Sequence, residues 1–429
     1  MNKDWLYEKI EFLKRNKKVD DLSLCIYSEN QNLSRFAENH IIQNVTKKTN
    51  HIYITAFNDK STGTSKTEDI SDESLLRNLR RAEEIAINTP EDPEFVEPLE
   101  SVEINDVDRY FENTRDLTPL QKAIEISEIK KEAIKKGMEI AGQYLNGAYR
   151  VGFANTKGHI VFHSYTLGNF SITAMLDDSS GYLSSTDEDI NKINSKKVAE
   201  VAFNKAIIGK TPKELQAGEY KVIFEPQAIV DFIPFLKWTM DRRASDEGYV
   251  YYSNMMGKKI ASDNINFYSN PYNNKNPSQP FVSKNGLPLS KIYWIENGIL
   301  KNLQTSRYWA KKKNIKPIGN SSNFIFDGGN KSKDEIIESA DDALLITRLW
   351  YIRFVNRMDM NLTGMTRDGL YRIKNGKIVN AYKNMRFNDS PIRLLNSVIE
   401  LSRQERVEGY CLVPTFYVSA FKLSSRTLF

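Results

Sequence analysis

Two Asn-Gly dipeptides limit the second half of this 429-residue chain more than any other feature. Ile292–Ile295 and Ile299–Leu303 flank Glu296-Asn297-Gly298, and Tyr371–Ile373 and Ile378–Tyr382 flank Lys374-Asn375-Gly376. Asn-Gly tolerates the positive φ that a two-residue hairpin turn needs at both central positions, so each site predicts an antiparallel hairpin. The closing stretch, Gly409–Phe429, is strand-like as well, with Val413, Phe416, Val418 and Phe421.

The first half reads differently. Trp5, Leu6, Ile10 and Leu13 make residues 1–18 an amphipathic helix. Leu22–Tyr27, Leu33–Ala37 and His51–Phe57 read as short strands. Ser71 offers an N-cap to a helix carrying Leu75, Leu79, Ala82 and Ala86, which Pro90 ends. Thr118-Pro119-Leu120-Gln121 has the hydroxyl, proline and glutamine of a capped helix start, and Ile126, Ile129, Ala133, Ile140 and Tyr144 extend that helix over 118–145. Tyr149–Ala154, Gly158–His163 and Asn169–Leu176 follow as strands, with a tight turn at 155–158. The length exceeds one ordinary core. The expectation is an α+β protein of two domains: an N-terminal α+β domain over 1–190, a helical connection over 191–217 with a helix at Lys197–Ile208, and a β-rich domain over 218–429.

Composition and motifs remove several functions. Lys+Arg 60 against Asp+Glu 55 leaves +5 with no dense basic stripe, so nucleic acid is not an expected partner. Lys311-Lys312-Lys313 beside Tyr308 and Trp309 suits a helix C-terminus. The two cysteines, Cys25 and Cys411, form neither a disulfide framework nor a paired ligand motif, which favours a reducing compartment. Residues 1–18 lack the apolar core of a signal peptide, and no run reaches membrane-spanning length, so a cytoplasmic protein is expected. His159 and His163 lie four apart around Ile160-Val161-Phe162, a strand on which they would sit about 13 Å apart. They read as surface histidines rather than zinc ligands. Gly-x-Ser-x-Gly, phosphate-loop and dinucleotide-binding patterns are all missing, and Asp177-Asp178 and Asp341-Asp342 read as solvated turns.

Residues Leu287–Leu300, Ser306–Ala310, Gly319-Asn320, Leu362-Thr363-Gly364, Arg367-Asp368-Gly369 and Ile373–Lys377 resemble the TldD/PmbA family, also described as peptidase family U62 and as modulators of DNA gyrase. The resemblance is strong after about residue 219 and looser before it. It implies a two-domain fold, an N-terminal α+β domain followed by a domain of antiparallel β. In the TldD branch it further implies a His-Glu-x-x-x-His zinc motif on the helix after the first C-terminal strand.

That motif would fall near Ile233-Pro234-Phe235-Leu236-Lys237-Trp238, and no histidine follows His163. Cys411 reads as a small buried hydrophobe and Lys237 as a snorkelling surface lysine. The chain is therefore similar to the PmbA/TldE branch, which lacks the motif. That similarity implies no metal, cofactor or catalytic residue in this chain, zinc in a TldD-like partner, and a heterodimeric peptidase acting on unfolded or modified peptides. A stand-alone peptide-binding homodimer and a modulator of DNA topology are the alternatives. Trp350, Ile352, Arg353, Thr363, Gly364, Arg367 and Asp368 are the expected peptide-binding residues; Trp350 and Ile352 read equally well as sheet core, and Arg367 and Asp368 as turn-shaping residues.

Overall fold

The computed structural model describes residues 1–105, 107–277 and 285–427. Its N-terminal part contains α1 (Lys3–Asn16), β1 (Asp21–Ala37), β2 (His40–Asn58), β3 (Ser61–Thr67), α2 (Asp72–Asn88), α3 (Glu112–Arg115), α4 (Pro119–Lys135), β4 (Glu139–Asn155), β5 (Ile160–Leu176), β6 (Ser179–Asp187) and α5 (Ser195–Ile208). The six strands form one sheet in the order β3-β2-β1-β4-β5-β6, with every described pairing antiparallel.

Alternation assigns its two faces. Leu24, Ile26, Ile52 and Ile54 pack against Leu6, Ile10 and Leu13 of α1 and Leu75 and Leu79 of α2. Phe170 and Ile172 pack against Ile126 and Ile129 of α4 and Phe203 of α5. The opposite face carries Cys25, Val151, Phe153 and Val161, against which Ile104 of the α2–α3 connection packs.

Ser71 and Thr118 cap α2 and α4 as their sequences require, Thr118 through a full capping box with Gln121. Two expectations are corrected here. The long helix stops at Lys135, because Gly137 takes φ 68° just beyond it and Ile140 and Tyr144 belong to β4. Residues four apart share a face on a strand as well as on a helix, so their spacing fits either. The separate runs Leu22–Tyr27 and Leu33–Ala37 are one strand, because the polar residues between them stay paired to β2 and β4.

The C-terminal part begins with β7 (Gly218–Phe224), α6 (Pro226–Val230), α7 (Ile233–Trp238) and α8 (Arg242–Asp246). Next come β8 (Phe267–Ser269), β9 (Ile292–Glu296), β10 (Ile299–Leu300), α9 (Arg307–Lys313), β11 (Phe324–Phe326), α10 (Lys333–Glu338) and β12 (Asp342–Ile346). The chain then runs through β13 (Leu349–Asn356), β14 (Asn361–Thr366), β15 (Leu370–Lys374), β16 (Lys377–Ala381), β17 (Met385–Asp389) and α11 (Pro391–Asn396). It closes with β18 (Val398–Leu401), β19 (Glu405–Val407), β20 (Cys411–Val413) and β21 (Phe416–Arg426). Both Asn-Gly hairpins form, joining β9 to β10 and β15 to β16, with φ 49° and 71° at the first turn and 48° and 72° at the second.

One sheet runs β10-β9-β8-β11-β20-β19; a larger one runs β13-β14-β17-β21-β7-β12-β15-β16, with β18 also on β21. One large core joins both sheets to α6 and α7, with Phe224, Phe232, Trp294, Phe326, Phe387, Phe416 and Phe421 at its centre. The chain as a whole is α+β, with the β-rich portion at its C-terminal end. Among the described residues no helix is long and apolar enough to cross a membrane.

Buried polar contacts tie the N-terminal sheet and α5 to this β-rich part. Glu225, between β7 and α6, accepts from Lys205 of α5 at 2.6 Å and from Lys333 of α10 at 3.3 Å. Arg406 donates to Glu188 at 2.6 and 2.8 Å and to Asp187 at 3.0 Å. Ser180 donates to Asp368 at 2.7 Å.

Candidate functional site

The segment after β7 is short and apolar. Pro226 opens α6, and Pro234 stands in the first turn of α7, which begins three residues after α6 ends. Phe232, Ile233 and Leu236 are buried in the C-terminal core, whereas Pro234 and Trp238 face out, Trp238 at 68% exposure. Trp238 and Phe235 both pack edge-on against Phe354 of β13, at 6.1 and 5.2 Å between centroids.

Lys237 corrects the sequence reading. It is buried, its Nζ lies 3.2 Å from the centroid of the Trp294 ring, and among the described residues it has no hydrogen-bond partner. Removal from water lowers its pKa to about 7. A lysine held in this way is a core residue, not a snorkelling one. The histidines are corrected too. His163 is buried in β5, and His159, buried just before it, sits between the Val102 N–H at 3.3 Å and the Gly286 carbonyl at 2.9 Å. Both face the side of the sheet that the α2–α3 connection and the C-terminal part cover, so neither meets solvent.

Beside α6 and α7, β13 forms an edge of the larger sheet. It is irregular: the register slips between Trp350 and Arg353, and Tyr351 takes φ 54°. Left-handed backbone is unfavourable for a bulky residue, so Tyr351 is a strained point in an exposed edge. Trp350 is 37% exposed and Tyr351 62%.

A cavity of about 240 Å³ lies between this edge and the helices, lined by Gln227, Asp231, Pro234, Trp350, Tyr351 and Glu408, among others. Asp231 accepts the Leu349 N–H at 2.8 Å, and burial pushes its pKa up to about 7, against the pull of that bond and of Arg348. Arg348 is spoken for elsewhere. Its guanidinium carbon lies 4.0 Å from the Tyr182 ring centroid and 4.9 Å from that of Trp350, and it pairs with Asp368 at 3.1 Å. Cys411 of β20 is fully buried; desolvation, with the charges of Glu408 and Asp231 added, raises its thiol well above the usual range.

The expected peptide-binding residues therefore occupy different places. Trp350 and Ile352 line this cavity, and Arg353 is exposed on the same strand, over the Tyr351 ring. Thr363 and Gly364 lie inside the sheet on β14. Thr363 donates to the Phe387 carbonyl at 3.0 Å, and a Cβ on Gly364 would meet the Phe387 ring at 2.6 Å. Arg367 stacks over Trp350 at 5.2 Å and borders a different groove, and Asp368 is buried at the contact with Ser180. Asp231, Glu408 and Tyr410 were not singled out from sequence, whereas Tyr351 lies in the run Leu349–Arg353 that the resemblance marks as a wall of the peptide path. Asp231 is the residue that ends α6, five after Pro226, a weak signal, and Glu408 lies in a turn that carries none.

Zinc does not fit here. Ile233–Trp238 offers no donor except the sealed Lys237, and among the described residues no three His, Cys, Asp or Glu side chains are grouped to hold a metal ion.

Residues 217–425 match the model of the PmbA/TldA metallopeptidase C-terminal domain. A metalloprotease TldD homolog of Buchnera aphidicola is 23% identical over 412 residues, covering 85% of this chain and 83% of its own. A zinc metalloprotease TldD homolog of Saccharolobus solfataricus is 23% identical over 222 residues, 47% of this chain and 48% of its own. The fold is similar to that of TldE from Thermococcus kodakarensis, at TM-score 0.89 and 18% identity over 98% of this chain and 100% of that one. It is also similar to a Thermotoga maritima protein solved as a candidate modulator of a DNA gyrase, at TM-score 0.88 and 17% identity over 98% and 99%. On its matching C-terminal domain and its near-full-length relative, this chain belongs to the TldD/PmbA family.

Proposed function

We propose that this chain is the PmbA/TldE-like, non-zinc-binding subunit of a cytoplasmic heterodimeric peptidase, and that it holds an unfolded or modified peptide while a TldD-like partner supplies the zinc and the hydrolysis. The observation that carries this reading is the pairing of an α7 without His, Cys, Asp or Glu side chains with the open, aromatic edge of β13 across one cavity. An edge strand offers unpaired N–H and C=O groups, and an extended chain can pair with them whatever its sequence. Such pairing selects unfolded segments, because a folded protein has already used those groups. Trp350, Tyr351 and the cavity beside Asp231 would then receive alternate side chains of the bound segment.

The test is metal content and cleavage of an unfolded peptide by the chain alone, by the TldD-type protein of the same cell, and by their mixture. Cleavage and about one zinc per heterodimer only in the mixture are expected. Chelator-sensitive cleavage by the isolated chain would overturn the reading. Peptide binding without cleavage in the mixture would point instead to a binding homodimer, and steeply salt-dependent DNA binding to the topology role.

A further inference from the structure

Arg109 lies in the connection between α2 and α3, where its backbone is fixed independently of its side chain. It forms an isolated parallel bridge with Tyr165, its carbonyl accepts the Thr166 N–H at 3.0 Å, and the Phe111 N–H donates to the Thr166 hydroxyl at 3.0 Å. Arg109 lines a cavity of about 190 Å³ together with His163, Tyr165, Glu188, Glu408 and Tyr410, among others.

Two of its nitrogens, Nε and Nη2, are shielded from solvent and, among the described residues, have no hydrogen-bond partner. These two form the side-on edge of arginine, whose parallel N–H bonds match the two oxygens of a carboxylate. A buried donor left unmade costs about 1–3 kcal/mol, more on a charged group, so this unpaired fork beside the cavity gains from any acceptor that reaches it. The carboxylate of Glu188 is taken: both of its oxygens accept from Arg406, at 2.6 and 2.8 Å.

The ligand class follows from the walls. Glu188 and Glu408 border the same cavity and would repel a doubly charged phosphate, whereas a single planar carboxylate meets the Arg109 fork with less opposition. Tyr165, Leu167 and Tyr410 give the group attached to that carboxylate an apolar surface. Glu408 and Tyr410 also line the cavity beside β13, so the two spaces share a wall. Building on the peptide-holding role proposed above, we propose that Arg109 is a binding residue that receives a carboxylate of the peptide held along β13.

The test measures fluorescence anisotropy of three labelled unfolded peptides on the full-length chain. One has a free C-terminus and no acidic side chain; the second is its amide; the third is an amide with one internal glutamate. The free acid is expected to bind about 10–100-fold more tightly than the first amide, the effect of a charge-assisted bond of about 1.5–3 kcal/mol. Tight binding of the glutamate peptide would instead assign the carboxylate to a side chain. Arg109→Gln should bring the ratio near one and Arg109→Lys should recover only part of it, because lysine keeps the charge and lacks the fork; unchanged thermal melting confirms their folding. Equal binding of all three peptides to the unmodified chain would overturn the proposal and leave the peptide-holding role standing. If no peptide binds but N-acetylalanine does, in an Arg109-dependent manner by calorimetry, the carboxylate site stands and the peptide-holding role falls. If neither binds, both are overturned.

Discussion

The ammonium of Lys237 sits 3.2 Å from the centroid of the Trp294 ring, inside the core that joins the two C-terminal sheets. The ring face attracts a cation, and the Trp294 N–H is turned away to donate to Ser269 at 2.9 Å. Burial outweighs that attraction and lowers the lysine pKa to about 7. Between about pH 7 and 10 the unfolded chain therefore binds more protons than the folded one, and stability rises with pH by at most about 1.4 kcal/mol per unit. Lys237→Met should abolish that rise and stabilise the protein at pH 7 and below. Urea unfolding of both proteins at pH 6, 7.5 and 9 measures the difference.

Asp231 titrates in the opposite sense. Its pKa is raised to about 7, so the folded state binds the extra proton between about pH 4 and 7, and stability falls as pH rises through that range. Asp231→Asn keeps an acceptor for the Leu349 N–H and removes the charge. The variant should be more stable than the parent at pH 8 and indistinguishable from it near pH 4, as read from the pH dependence of thermal melting.

At Glu225 burial alone would raise the pKa, but Lys205 and Lys333 overcome it and hold the carboxyl below its ordinary value. The stability this gives is complete above the unfolded carboxyl pKa and lost as pH falls through the folded one. Glu225→Ala leaves two lysines without their buried partner and should cost about 3–5 kcal/mol. Because Lys205 belongs to α5, limited proteolysis should then release a fragment ending before β7, while the parent stays intact.

Tyr351→Gly separates fold from function. Glycine adopts φ 54° freely, so the variant should be as stable as the parent or about 1 kcal/mol more so. Loss of the exposed ring should weaken binding of an unfolded peptide about tenfold, the worth of one aromatic contact. Equal affinity in the two proteins would remove Tyr351 from the peptide path.

The sequence revealed what local chemistry decides. Asn297-Gly298 and Asn375-Gly376 turn where they must, and Ser71 and Thr118 cap helices, because each signal is read within four residues. The end of α4 was obscured because Ile140 and Tyr144 satisfy both periodicities. His159, His163 and Lys237 were misplaced because each is covered by a segment distant in the chain. The candidate site was legible only on β13. Asp231 meets Glu408 at one cavity and Arg109 meets it at another, through sheet order and the α2–α3 connection, which no local pattern encodes.

Asp368 grips Ser180 of the N-terminal sheet and Arg348 of the C-terminal part, and Arg348 is clasped between Tyr182 and Trp350. This arrangement works as a rivet. The edge strand and the N-terminal sheet are thereby fixed to one another, so a chain held along β13 as proposed would meet a rail already set at its working angle and spend little ordering free energy on shaping it. Selectivity at such a rail would come from the guest's own readiness to extend, and a chain that has relaxed into a helix or a fold would be turned away before any side chain is read.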